Sequence, residues 1–444
     1  MIETQVLKET RQTVFLKGSP AKGLFGATLG FFTGFAAVAL FGTTASKFQA
    51  VMGLSPMWVA LLVAAPSLSG SLLRIPFSAW VDSTGGRKPF QILLATSIVG
   101  MAGLLVMISM LYPDRLSFQW YPLLLVLGLL SGCGIATFSV GISQVSYWFP
   151  QNKQGAALGM YAGIGNLAPG IFSILLPVAL MFWGLAGSYL AWFLFLAAGT
   201  AVYFWTGVNA PYFQLLRSGH SPQNARDMAR SEGQEMFPAG GLSAALLLSA
   251  KTWKTWALAA IYFATFGGFI ALTAWLPTYW KGYFSMTPVW AGILTAFYSL
   301  LASLFRVWGG KIADRVGGEK TASCSLPLVF AGSCVMVLAR SPILAAVGLG
   351  LSALGMGITN AAVFKLVPQE IPQAVGGASG WVGGIGALGG FGIPLFFGSF
   401  VSRSGHAGYA SGFAVFVGLS ALSYVSLLVL QRSRKIQKNI HGVK

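Results

Sequence analysis

Long apolar stretches, interrupted by short clusters of polar residues, glycine and proline, recur from one end of the chain to the other. Each is close to the ~20 residues a helix needs to cross the hydrocarbon core of a bilayer. They predict twelve spans, over 23–46, 56–81, 89–112, 120–148, 155–180, 184–208, 253–280, 287–312, 321–339, 343–366, 374–402 and 407–431. The longest polar interval, 209–252, holds Arg217, His220, Arg226, Asp227, Arg230, Glu232 and Glu235. The pattern therefore predicts an all-α polytopic membrane protein. A six-helix bundle over 1–208 is joined by a linker, 209–252, to a second six-helix bundle over 253–444.

Composition agrees with lipid as the main solvent. Only 9% of the 444 residues are charged and 55% are hydrophobic, where a soluble domain carries about 25% charged residues. Mean hydropathy is +0.71, and the 57 glycines suit helices that pack closely in a membrane. The net charge of +18 does not mark a nucleic-acid binder, because the basic residues stand singly between apolar spans instead of covering one soluble face. Their distribution sets orientation instead. With the termini inside, outer loops hold only Lys47, Arg115, Lys281, Arg340 and Arg403, and the other loop and terminal cations lie on the cytoplasmic side. Both termini and the linker are thus expected in the cytoplasm. Cys133, Cys324 and Cys334 show no paired or metal-ligand spacing, so neither a disulfide framework nor a metal is expected. No cofactor is expected either. The polar, basic first 23 residues do not form a cleavable signal.

Two of the 28 basic residues belong to neither side: Arg74 and Arg306. They occupy matching places in an internal repeat. RIPFSAWVDSTGGRK runs from Arg74 to Lys88, and RVWGGKIADRVGGEK from Arg306 to Lys320, an offset of 232 residues. In each copy an aspartate, Asp82 or Asp314, follows eight residues later. If the aspartates mark the membrane surface, eight residues of helix set each arginine roughly 12 Å deeper, near the midplane of a core about 30 Å thick. A cation at that depth defaults to function. All ten acidic residues fall at termini, in loops or at helix ends, so no carboxylate is available to neutralise either arginine. Two such guanidiniums call for an anion from outside, and their planar forks suit a planar oxyanion.

The string Gly310-x-x-x-Asp314-Arg315-x-Gly317 resembles the loop signature that follows spans two and eight in the major facilitator superfamily. The first copy departs from it: Ser78 stands where glycine is expected, and Asp82 is separated from Arg87 by Ser-Thr-Gly-Gly. Asp82, Arg87, Asp314 and Arg315 are read as cytoplasmic latch residues that hold one conformational state, although a solvated turn explains each charge singly.

Spans five and eleven are glycine-rich: GMYAGIGNLAPG over Gly159–Gly170 and GGASGWVGGIGALGGFG over Gly376–Gly392. With the arginine pair, GCGIATFSVG in span four and NAAVFKLVPQ leaving span ten, these stretches resemble the nitrate/nitrite porter family within that superfamily, over essentially all twelve spans. The resemblance implies alternating-access transport of nitrate or nitrite by a monomer. It implies a substrate site of Arg74, Arg306, Phe138, Phe364, Asn166 and Tyr262, with Gly163, Gly165, Gly384 and Gly386 on the moving helices. Phe138 and Phe364, at matching places in the two halves, are read as rings clamping a flat anion. Asn166 serves equally as donor or as interhelical glue, and Tyr262 equally as ligand or as interface anchor.

Exchange of nitrate for nitrite follows if the paired charges disfavour occlusion of an empty site. Proton symport is the competitor. Its one candidate is Lys365, next to Phe364, which is equally read as snorkelling to the surface. An enzyme is not expected, and no GxxxxGK[ST] loop for ATP is present. An anion channel and a carrier of organic anions are weaker rivals. A bacterial cytoplasmic membrane is the expected location.

Overall fold

The computed structural model describes residues 16–238, 242–371 and 375–440. Residue 374, the expected start of span eleven, lies outside them, as do the terminal cations Lys8, Arg11 and Lys444. Eleven described helices are long and apolar enough to cross a membrane. One, Ala157–Thr206, has 50 residues, which would extend about 75 Å, far more than a bilayer core is thick. It is two helices meeting at Gly184, whose backbone (φ 64°, ψ −170°) is not helical. The spans are therefore twelve. They are α1 (Pro20–Ala39), α2 (Pro56–Thr84), α3 (Arg87–Leu111), α4 (Phe118–Ser146), α5 (151–183), α6 (185–206), α7 (Trp253–Phe284), α8 (Pro288–Val316), α9 (Gly318–Leu338), α10 (Pro342–Glu370), α11 (375–404) and α12 (Ala414–Arg434). The last helix begins later than expected. Gly405 turns the chain at φ 55°, and one short helical turn, Gly408–Ser411, makes the corner first.

The repeat is visible in three dimensions. α2 and α8 each have 29 residues, and Arg74 and Arg306 fall at the same step along them. Each helix ends at a glycine in the positive-φ region, Gly85 (74°) and Gly317 (92°), where a side chain would be strained.

The linker is folded. Helices Pro211–Arg217 and Pro222–Ser231 pack with Trp148 and Phe213 in a small apolar cluster on the end of the first half. Helix Leu242–Lys251 lies on the second half, where Leu246 accepts a hydrogen bond from Trp381 (3.0 Å).

Among the described residues, the close glycine contacts between the halves run from the end remote from the linker to the level of the two arginines. Along α5 and α8, a Cβ on Gly292 would strike the Ser173 carbonyl, one on Gly170 would touch Ser299 and Leu300, and one on Gly163 would strike Val307. One turn further, a Cβ on Gly159 or Gly310 would meet nothing within 4 Å. Along α2 and α11, Gly398 backs on Ala60, Gly390 on Ser67 and Gly384 on Ile75, whereas Gly380 faces only Leu246 of the linker. A third seam joins α1 to α7 at the remote end. There Gly42 abuts Ala274, Thr278 donates to the Gly42 carbonyl (3.5 Å), and Lys281 donates to Ser46. The halves thus form a cleft closed at the remote end and open toward the linker. Both long seams stop at the level of the two arginines.

Candidate functional site

Backbone irregularities gather around the apex of the cleft. α2 breaks its regular helix at Leu73, immediately before Arg74. α4 tightens into a 3-10 turn, Cys133–Ala136, just before Phe138. There Gly132 and Gly134 let α4 touch the backbones of α2 and α1, at Pro66 and Gly34. α7 widens into a π-turn, Phe263–Gly267, a feature common at functional sites. This turn lays Tyr262 and Phe266 side by side, centroids 4.8 Å apart and planes within 12°.

The two arginines converge on one pair of rings. Arg74 Cζ lies 4.9 Å from the Phe138 centroid and 5.2 Å from that of Phe266. Arg306 Cζ lies 5.5 and 5.1 Å from the same two centroids. The rings, one from each half, are 5.6 Å apart and inclined at 28°. Phe138 is held by Tyr161, whose hydroxyl donates to the Thr137 and Phe138 carbonyls (2.9 and 3.0 Å).

Each guanidinium is anchored by one hydrogen bond: Arg74 Nη1 donates to the Gly383 carbonyl and Arg306 Nη2 to the Tyr262 hydroxyl, both at 3.2 Å. Arg74 Nε, Arg74 Nη2 and Arg306 Nη1 are buried without an acceptor in the protein. Arg74 is fully buried and Arg306 half-buried. The described carboxylates all lie at helix ends, in a connecting loop or in the linker. The apex therefore holds two like charges and unspent donors beside aromatic faces, an arrangement costly without an anion.

The other candidates occupy distinct places. Phe364 meets Tyr262 edge-on (5.1 Å, 88°) and is not the ring that shares the arginines with Phe138; that ring is Phe266. Asn166 accepts at its backbone carbonyl from Ser303 (3.1 Å), one turn before Arg306, and its Oδ1 is buried without a partner. Gly163 and Gly384 stand against Val307 and Ile75, the residues that follow the two arginines, so close helix approach locks both guanidiniums in depth. A Cβ on Gly165 would overlap Phe31, and one on Gly386 would strike Tyr262.

Near the linker, Asp82 accepts from the Tyr147 hydroxyl (2.5 Å) and does not pair with Arg87, which donates to the Phe204 carbonyl (2.8 Å). Burial, and then the Asp82 carboxylate, push the Tyr147 phenol above its ordinary range, so it stays a neutral donor. Asp314 pairs with Lys365 (2.6 Å) in an exposed bridge between α8 and α10, away from the arginines. Arg315 is exposed.

Two six-helix halves around a buried cationic apex, open at one end only, define a membrane transporter. The chain belongs to the Major Facilitator Superfamily, whose family model matches residues 27–394. It is 29% identical to the "Probable nitrate/nitrite antiporter NarK1" of Thermus thermophilus, with 84% of each chain covered. It is 26% identical to the "Probable nitrate transporter NarT" of Staphylococcus epidermidis, over 92% of this chain and 96% of that one. Among solved structures it is similar to the xylose transporter XylE from E. coli in a partially occluded inward open conformation. The TM-score is 0.71 with 13% identity, over 92% of this chain and 97% of that one.

Proposed function

We propose that this chain carries nitrate and nitrite across a bacterial cytoplasmic membrane, by exchange, as a monomer with its termini and linker in the cytoplasm. The observation that carries the reading is the pair of guanidiniums, one from each half, over the faces of the same two phenyl rings with three buried donors unspent. A trigonal anion lies flat against a ring and offers oxygens in the plane of the donors. The names of the similar chains in Thermus and Staphylococcus support the same substrates.

The mechanism follows from charge. Arg74 and Arg306 repel, so drawing the halves together over an empty site is disfavoured, and an anion between them removes the penalty. The halves then close on the linker side and part at the remote seams, exposing the same site to the other face. Return requires a second anion, which makes the cycle an exchange. Arg74, Arg306, Phe138, Phe266 and Tyr262 hold the anion in this scheme. Asn166 and Phe364 support them, and Gly163, Gly165, Gly384 and Gly386 permit the sliding contacts. Asp82, Arg87, Asp314 and Arg315 lie where linker-side closure is set. Lys365, exposed and ion-paired, does not favour proton symport.

Purified protein in liposomes tests this. Nitrate uptake into nitrite-loaded vesicles, with none into empty ones and no pH gradient, is the expected result. Uptake into empty vesicles that requires an inward proton gradient would overturn exchange, and no nitrate uptake under either condition would overturn the substrate.

A further inference from the structure

A cavity of about 660 Å³ lies at the linker end of the first half, between the ends of α2, α3 and α6 and the helix Pro211–Arg217. Arg87, Lys88 and Arg217 line it, together with Asn209, Phe204 and Leu216. No carboxylate does. The nearby Asp82 is engaged by Tyr147. Arg87 is held rigidly: its Nη2 donates to the Phe204 carbonyl (2.8 Å), its backbone N–H donates to Asn209 Oδ1 (2.9 Å), and its Nε is buried without a partner. Lys88 and Arg217 are exposed, and Lys88 Nζ sits 5.5 Å over the Trp80 ring.

The membrane position of this cavity is legible from its wall. Phe204 is exposed, and Trp205 beside it is 77% exposed in the last turn of α6, where aromatic residues mark headgroup depth. The cavity thus combines cations, an apolar wall and an interfacial position. We propose that it is a binding site for the phosphate headgroup of an anionic phospholipid, with the phosphate among Arg87, Lys88 and Arg217 and an acyl chain along Phe204. Basic pockets between helix ends recognise such headgroups. The lipid would join α3 and α6 to the first linker helix, tying the linker to the first half. The site is separate from the arginine apex, and the inference does not depend on which anion is carried.

The test uses the full chain in detergent and in phosphatidylcholine nanodiscs, titrated with phosphatidylglycerol, with bound lipid counted by native mass spectrometry and melting temperature followed in parallel. The wild type should retain phosphatidylglycerol in preference to phosphatidylcholine and melt higher with it. The variant Lys88→Gln/Arg217→Gln alters only exposed side chains and leaves the anchored Arg87 in place. It should bind phosphatidylglycerol roughly 30-fold more weakly, at about fivefold per near-surface cation. Lys88→Arg/Arg217→Lys should restore binding. Equal retention of the two lipids by the wild type, or unchanged retention by the glutamine variant, would overturn the proposal. So would an equal rise in melting temperature with inorganic phosphate in lipid-free detergent, because the ligand would then be a soluble anion.

Discussion

Replacing Arg74 by glutamine separates the cost of a buried charge from its use. Arg74 is fully buried and bonded to the protein only through Nη1 to the Gly383 carbonyl, a bond that the shorter glutamine gives up. Its Nε and Nη2 are the donors left for an anion. Each charge-assisted hydrogen bond is worth about 1.5–3 kcal/mol. The anion gives up its own hydration on entry, so the lower figure applies. Two bonds then contribute about 3 kcal/mol, roughly a 100-fold loss of nitrate affinity. Arg74→Lys keeps the charge but offers a point donor in place of a fork, and should lose about tenfold, the equivalent of one bond. Affinity is read by nitrate-dependent thermal shift, and transport by labelled nitrate uptake into nitrite-loaded liposomes. Arg74→Gln should also raise the melting temperature of the nitrate-free protein, because it removes an uncompensated buried charge. A purely structural arginine would give the opposite sign. If both variants bind nitrate within twofold of wild type, or if the glutamine variant melts lower without nitrate, the anion is not held by this fork.

Phe266→Leu should weaken nitrate binding by about 1–2 kcal/mol, as should Phe138→Leu, since each ring faces both guanidiniums and a desolvated cation–π contact is worth up to about 2 kcal/mol; competition binding measures both. Lys365→Gln removes one exposed ion pair, worth at most about 1 kcal/mol, so exchange should stay within twofold and its response to a pH gradient should not change. Lys281→Ala deletes a bond between the halves at the remote seam and should shift the population toward opening there, read as faster labelling of a cysteine introduced at buried Thr43.

The twelve helices were legible because lipid leaves a chain few options: each span must be long, apolar and internally hydrogen-bonded. The arginines were legible because a cation inside an apolar run is an anomaly, and one repeated 232 residues later is a pattern. Phe266 was not. It is one of 33 phenylalanines, and what aims it at both arginines is the π-turn Phe263–Gly267, a backbone event without a residue signature. Matching the halves pointed instead to Phe364, which the fold turns edge-on to Tyr262. The partner of Lys365 was hidden for a related reason. Asp314 is 51 residues away in sequence, and only the packing of α8 on α10 brings the two together.

The unequal burial of the two arginines has a kinetic consequence. In the proposed mechanism, an anion arriving from the linker side meets half-buried Arg306 first and fully buried Arg74 last. Arg306 therefore governs the speed of capture, through a long-range pull that salt within a Debye length of about 10 Å weakens. Arg74, shielded from solvent and from salt, governs residence time. Raising ionic strength should slow loading while leaving escape nearly unchanged, so that a carrier with two equivalent charges in its sequence divides arrival and retention between them.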